Sequence, residues 1–145
     1  MPCLAWLNRT LLALWAGALL WMGAVVAPTL FASLPSRALA GQTAGVLFAY
    51  LDWLGVACAL WLFSCEARQR RLTASLAWLA VIAVLLLHRL WWAPEMARLK
   101  VAGLYLSDNA SRFGIMHGVS SATYWLVTLF VLWSVWRLGR ASWRP

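Results

Sequence analysis

The sequence predicts an all-α integral membrane protein, a four-helix antiparallel bundle that takes in residues 1–145 as a single domain. Two observations carry this. Of the 145 residues, 64% are hydrophobic and 11% charged, with a mean hydropathy of +0.77, whereas in soluble domains roughly 25% of residues are charged. Four apolar stretches, 11–31, 44–64, 73–92 and 113–136, each match the roughly 20 residues that a helix needs to cross about 30 Å of hydrocarbon. None shows strict period-2 alternation, which disfavours a lipid-facing β-barrel, and helices satisfy their own backbone groups in lipid.

The first span begins after Arg9, and Ala38-Leu39-Ala40 resembles a small-residue cleavage site. Its apolar run is longer than the 7–15 residues usual for a signal peptide, about 20, so it reads as a retained helix. Cys3 precedes that run, which is not the place of a lipoprotein acylation cysteine. Pro28 lacks an N–H and clashes with the preceding turn, so it is expected to kink or end this helix before Ala32.

The net charge of +8 does not point to nucleic acid, because of how it is distributed. Arg9, Arg68, Arg70, Arg71, Arg137, Arg140 and Arg144 fall on one side if both termini share it; Arg37, Arg98, Lys100 and Arg112 fall on the other, with Arg89 near its rim. Basic residues near span ends favour the cytoplasm, which places both termini there. Trp6, Trp91, Trp92, Trp133, Trp136 and Trp143 sit at or near span ends, where indoles settle at the headgroups. Trp15, Trp21, Trp53, Trp61, Trp78 and Trp125 lie deeper, and helix packing is the favoured reading for them. Cys58 and Cys65 are two turns apart on one helix and read as free thiols. No CxxC, HExxH, P-loop or GxSxG is present, and no nucleophile, base and oxyanion donor can be assembled, so an enzyme is disfavoured.

Polar residues within the spans fall on defined faces. In the second span, Gly41, Gly45, Phe48, Asp52, Gly55 and Ala59 share a stripe; Gly41 and Gly45 form a GxxxG pair that predicts close helix approach, and Asp52 is expected to point inward. An ionised carboxylate at that depth needs a cation partner or must be held protonated. In the last span Gly114, His117, Ser121, Tyr124 and Thr128 recur at three- and four-residue spacing. His88 lies four residues before Trp92 and His117 four after Phe113, so both are expected at similar depth near the outer end. Asp52, His88, His117, Ser121 and Tyr124 therefore form the candidate polar cluster. Between the last two spans, Pro94 opens a run to Leu104 that suits a short interfacial helix, a connector or a lid over that cluster, and Ser107-Asp108-Asn109 reads as a turn.

Leu14-Trp15-Ala16-Gly17, Val26-Ala27-Pro28-Thr29-Leu30-Phe31-Ala32 and the segment from Ala40 to Phe48 resemble a bacterial membrane family, domain of unknown function 4149, which is similar to the eukaryotic transmembrane protein 205. Arg112-Phe113-Gly114-Ile115-Met116-His117-Gly118-Val119-Ser120 resembles that family's Phe-x-x-Leu-His-x-x-Ser element. Members commonly carry an Asn shortly after the Ser, where this chain reads Ala122-Thr123-Tyr124. The resemblance implies a four-helix protein of the bacterial cytoplasmic membrane without an established activity; the eukaryotic relatives are associated with the handling of platinum drugs.

Three functional readings emerge. In the first, the Asp52, His88 and His117 cluster binds or conducts a proton or a metal ion, with His88 and His117 as metal ligands and Met22, Met96 and Met116 as soft donors for copper. In the second, the two histidines are axial ligands of one b-type haem. The third is an accessory or assembly subunit of a larger membrane complex, or a homo-oligomer, without chemistry of its own. Absence of a cofactor is favoured, and the lipid bilayer is the expected surrounding.

Overall fold

A computed structural model describes residues 2–103 and 107–141, with side chains described for residues 5–103 and 108–140. Trp143 and Arg144, the Cys3 side chain and Leu104 lie outside these limits. Among the described residues there is no strand. Four helical runs, Ala5–Ser33, Arg37–Arg68, Leu72–Val101 and Asp108–Arg140, are long and apolar enough to cross a membrane. At 1.5 Å per residue they measure roughly 44–50 Å, enough to pass through the hydrocarbon and into both headgroup layers.

The first run is α1 (Pro2–Trp21), a π-turn (Met22–Val26) and α2 (Ala27–Ser33). Next come α3 (Arg37–Arg68), α4 (Leu72–Leu87), a second π-turn (His88–Trp92), α5 (Ala93–Val101) and α6 (Ser107–Ala141). The short connections carry their own chemistry. The Ser36 side chain caps α3 by accepting from the Leu39 N–H at 3.2 Å. Arg70 turns the chain between α3 and α4 in a left-handed conformation, φ 56°. Gly103, φ 96°, ends α5 in the region where glycine carries no Cβ penalty, and its carbonyl accepts from the Asn109 side-chain amide. In the bundle α1 packs on α3 and α6, α3 packs on α4, and α5 packs on α6, which closes an antiparallel four-helix ring.

Three expectations about prolines and loops meet the structure here. Of the two outcomes expected at Pro28, a kink or an end, the end does not occur, since the helix runs on to Ser33, and Pro94 does not open a separate interfacial helix, because α5 continues from α4 through the second π-turn. In each case an Ala-Pro pair directly follows a five-residue π-turn, with Ala27 N–H donating to the Met22 carbonyl and Ala93 N–H donating to the His88 carbonyl. The wider turn relieves the clash that a proline ring makes with the carbonyl four residues back, a clash that costs about 3 kcal/mol or more in a regular helix. Ser107-Asp108-Asn109 likewise begins α6 instead of forming a turn. The expected long loop is thus mostly helix.

Leu12, Trp15, Leu19, Val56, Ala59, Leu62, Trp78, Ile82, Leu85 and Val131 fill the core. The Trp15 and Trp78 rings lie 6.4 Å apart, and Phe130 meets Trp78 edge-on at 5.1 Å. Of the deeper tryptophans, Trp15 and Trp78 are buried, while Trp21, Trp53, Trp61 and Trp125 are exposed on the bundle surface. Cys58 and Cys65 are buried free thiols.

The predicted GxxxG contact also needs correction. Gly45 is exposed and a Cβ there would meet nothing within 4 Å, while one on Gly41 would meet only Lys100 Nζ and Phe31 at 3.8 and 3.9 Å. Ala40 and Ala44 are buried instead. The inward row on α3 steps by four toward its outer end, so a stripe drawn at 3.6 residues per turn lands one position off there. Gly55 is the close contact: a Cβ at that position would fall 2.8 Å from Trp15 Cζ2 and 3.0 Å from Leu85 Cδ1. Gly55→Ala is expected to lower stability in detergent by about 1–3 kcal/mol through overpacking, whereas Gly45→Ala should leave the unfolding midpoint unchanged or raise it. Equal effects at the two positions would contradict this packing.

Candidate functional site

Asp52, His88, Ser120 and Tyr124 lie in one layer near the middle of the bundle. His88 stands at the head of the second π-turn. Its Nδ1 lies 3.0 Å from Asp52 Oδ2 on α3, and its Nε2 lies 2.8 Å from Ser120 Oγ on α6. Asp52 and His88 are both largely enclosed, with side-chain exposures of 13% and 22%. With Asp52 ionised, the imidazole Nδ1–H donates to the carboxylate and Nε2 is left to accept from the Ser120 hydroxyl. Among the described residues no arginine or lysine forms an ion pair with Asp52, whose charged-group partner is His88.

One turn further along α6, the Tyr124 hydroxyl donates to the Leu19 carbonyl. In a regular helix that carbonyl would accept from the Gly23 N–H. Only glycine fits at position 23, because a Cβ would lie 2.9 Å from Tyr124 Cε1 and 3.2 Å from its hydroxyl oxygen. A side chain inserted beside the backbone ladder is a recognised cause of local unwinding, and the first π-turn begins at the neighbouring Met22. Phe48, one turn from Asp52 on α3, packs edge-on against the Tyr124 ring at 5.2 Å. All four helical runs therefore contribute to the layer.

Below it the aromatic and aliphatic core closes the bundle. Above it α5 and the start of α6 form a collar. The Trp92 indole N–H donates to the Met116 carbonyl at 3.0 Å. Glu95 lies 3.7 Å from Arg98 and 3.9 Å from Arg112, and Lys100 Nζ sits 5.4 Å from the centre of the Phe113 ring. These exposed pairs contribute little stability each, under about 1 kcal/mol. His88 is thirteen residues from the end of α5, roughly 20 Å along the helix, so the site is deeper than the span ends suggested. A second polar contact lies near the opposite end, where the Trp61 indole N–H donates to Asn8 Oδ1 at 2.8 Å with Cys65 Sγ at 3.8 Å.

Of the residues singled out in the sequence, Asp52, His88 and Tyr124 lie in this layer and Gly55 lies just beneath Asp52 on α3. His117 does not join it. That residue is exposed and stacks on Phe113, with the ring planes 8° apart. Ser121 gives way to Ser120 as the partner of His88. The stripe drawn through His117, Ser121 and Tyr124 is one residue out of phase at its outer end, where Ser120 and Tyr124 reach the neighbouring helices. Adjacent serines are indistinguishable by periodicity, although the Phe-x-x-Leu-His-x-x-Ser resemblance ends on Ser120. Trp92, Gly23 and the Leu19 carbonyl were not legible as members, since each acts through a contact between distant helices.

The family model described as Domain of unknown function (DUF4149) matches residues 10–104. The chain belongs to this family. The matched stretch includes Asp52, His88, Trp92 and both π-turns, and ends before α6, so Ser120 and Tyr124 lie beyond it. No curated protein and no solved structure matches the chain.

Proposed function

We propose that this multi-pass membrane protein holds a proton-transfer relay, Asp52–His88–Ser120, at mid-bundle. The observation that supports the reading is the His88 imidazole held at both ring nitrogens, by a carboxylate and by a hydroxyl. An ionisable pair inside a membrane bundle is costly to keep, and such groups serve proton or ion handling more often than packing. Imidazole passes a proton by accepting at one nitrogen and releasing at the other.

The alternatives have less support. Among the described residues no three His, Cys, Asp or Glu side chains converge, so the metal-ion version has Asp52, His88 and a hydroxyl as donors. A haem held by His88 and His117 would have to displace Asp52 or Ser120 from His88 and turn His117 from its stack on Phe113. An accessory role in a larger complex, or a homo-oligomer, draws on the exposed tryptophans, which lipid accommodates equally well. We further infer that the protein sits in the bacterial cytoplasmic membrane with both termini in the cytoplasm, following the arginines at the chain ends and in the α3–α4 turn.

Reporter fusions test the orientation: cytoplasmic-type activity is expected at both termini, and periplasmic-type activity at either would reverse it. The relay is tested by acid-minus-alkaline infrared difference spectra of the purified protein. Carboxyl and imidazole bands should change together, Asp52→Asn should shift the imidazole bands, and His88→Gln should shift the carboxyl band. Bands that respond independently, each unmoved by loss of the other residue, would contradict it.

A further inference from the structure

Hydroxyls in membrane helices commonly bond the carbonyl four residues back. Ser64, Ser75, Thr128 and Ser134 do so here, donating to Leu60, Arg71, Tyr124 and Phe130 at 2.8–3.0 Å. Ser120 does not. Its counterpart carbonyl, Met116, already accepts from the Trp92 indole, and Ser120 Oγ instead lies 2.8 Å from His88 Nε2. Asp52 Oδ2 lies 3.0 Å from Nδ1, and an ionised carboxylate there selects the tautomer that leaves Nε2 as an acceptor. Carboxylate, imidazole and hydroxyl thus stand in the order that activates serine for attack in unrelated folds.

From this geometry we propose that Ser120 is a nucleophile, activated by His88 and positioned by Trp92, and that it takes acyl groups from carboxylic esters presented by the membrane. The proposal rests on the relay reading and adds to it the reacting atom and the class of substrate. Ser120 Oγ forms a bond to the ester carbonyl carbon as its proton passes to Nε2. The alkoxy C–O bond then breaks, and the proton returns from Nε2 to the departing alcohol. The acyl group remains on Ser120 until water, giving a proton to the same nitrogen, attacks the acyl carbon; cleavage of the bond to Oγ, which takes that proton back, releases a carboxylic acid. No oxidant or reductant enters. Esters of acyl chains suit the surroundings, since a bilayer presents such esters to the bundle and Phe48 packs on Tyr124 beside the relay.

The test uses the full chain in nanodiscs and an alkyl fluorophosphonate, whose phosphorus bonds to Oγ with loss of fluoride. Mass spectrometry is expected to find the adduct on Ser120. Labelling should be absent in Ser120→Ala and slower on the order of 10²-fold in Asp52→Asn and His88→Gln, the low end of what a general base contributes. Ser121→Ala, one residue away and outside the relay, should label like the unaltered protein. Lack of an adduct on Ser120 in the unaltered protein overturns the nucleophile, and so does an adduct that forms equally fast without Asp52 and His88. If the infrared bands are coupled but no adduct forms, the nucleophile falls and the relay stands; if the bands are uncoupled, both fall.

Discussion

In hydrocarbon a carboxylate, an imidazole and a phenol have no water to bond, so each must find its partner inside the bundle or carry the cost of burial. This chain places all three at one depth, and the packing around them results from satisfying them. His88 reaches Asp52 on one side and Ser120 on the other, which ties three helical runs together. Tyr124 reaches the Leu19 carbonyl and ties in the fourth. Single interhelical hydrogen bonds in membrane proteins average only about 0.6 kcal/mol. Their role here is to fix register and rotation, while the apolar core beneath, around Trp15 and Trp78, supplies the packing.

The two π-turns belong to the same constraint. Each precedes an Ala-Pro pair and each lies at the polar layer, one beginning at His88 and the other beside Gly23. An extra residue in one turn rotates the C-terminal part of a helix against its N-terminal part, so a side chain can be aimed off the regular stripe. On the α4 side this aims His88 between α3 and α6 while Trp92, four residues on, reaches the Met116 carbonyl. Prolines that would otherwise break these helices are accommodated by the same local widening.

Much of this was legible in the sequence. Composition and the four apolar runs fix the fold class, and Asp52, His88 and Tyr124 are conspicuous because ionisable and phenolic groups are rare within spans. Helix ends were less legible: hydropathy finds the lipid-crossing part, whereas α5 and the start of α6 extend the helices with amphipathic and charged residues such as Glu95, Arg98 and Arg112. Helical stripes drawn from periodicity miss by one residue at both Gly45 and Ser121. A period of 3.6 resolves faces only over short distances, and the choice between adjacent small or polar residues is made by contacts with other helices. His117 looked equivalent to His88 in depth, yet a single position on α6 separates a place in the network from the surface.

The proposed relay depends on His88 being held in one tautomer by its two partners. Nitrogen NMR of the protein labelled at histidine, in bilayers near neutral pH, measures this directly. One protonated Nδ1 and one hydrogen-bond-accepting Nε2 are predicted for His88, both displaced by Asp52→Asn and the Nε2 resonance displaced by Ser120→Ala, against an averaged, unaffected signal for His117. A His88 ring that averages between tautomers and ignores both substitutions would contradict it.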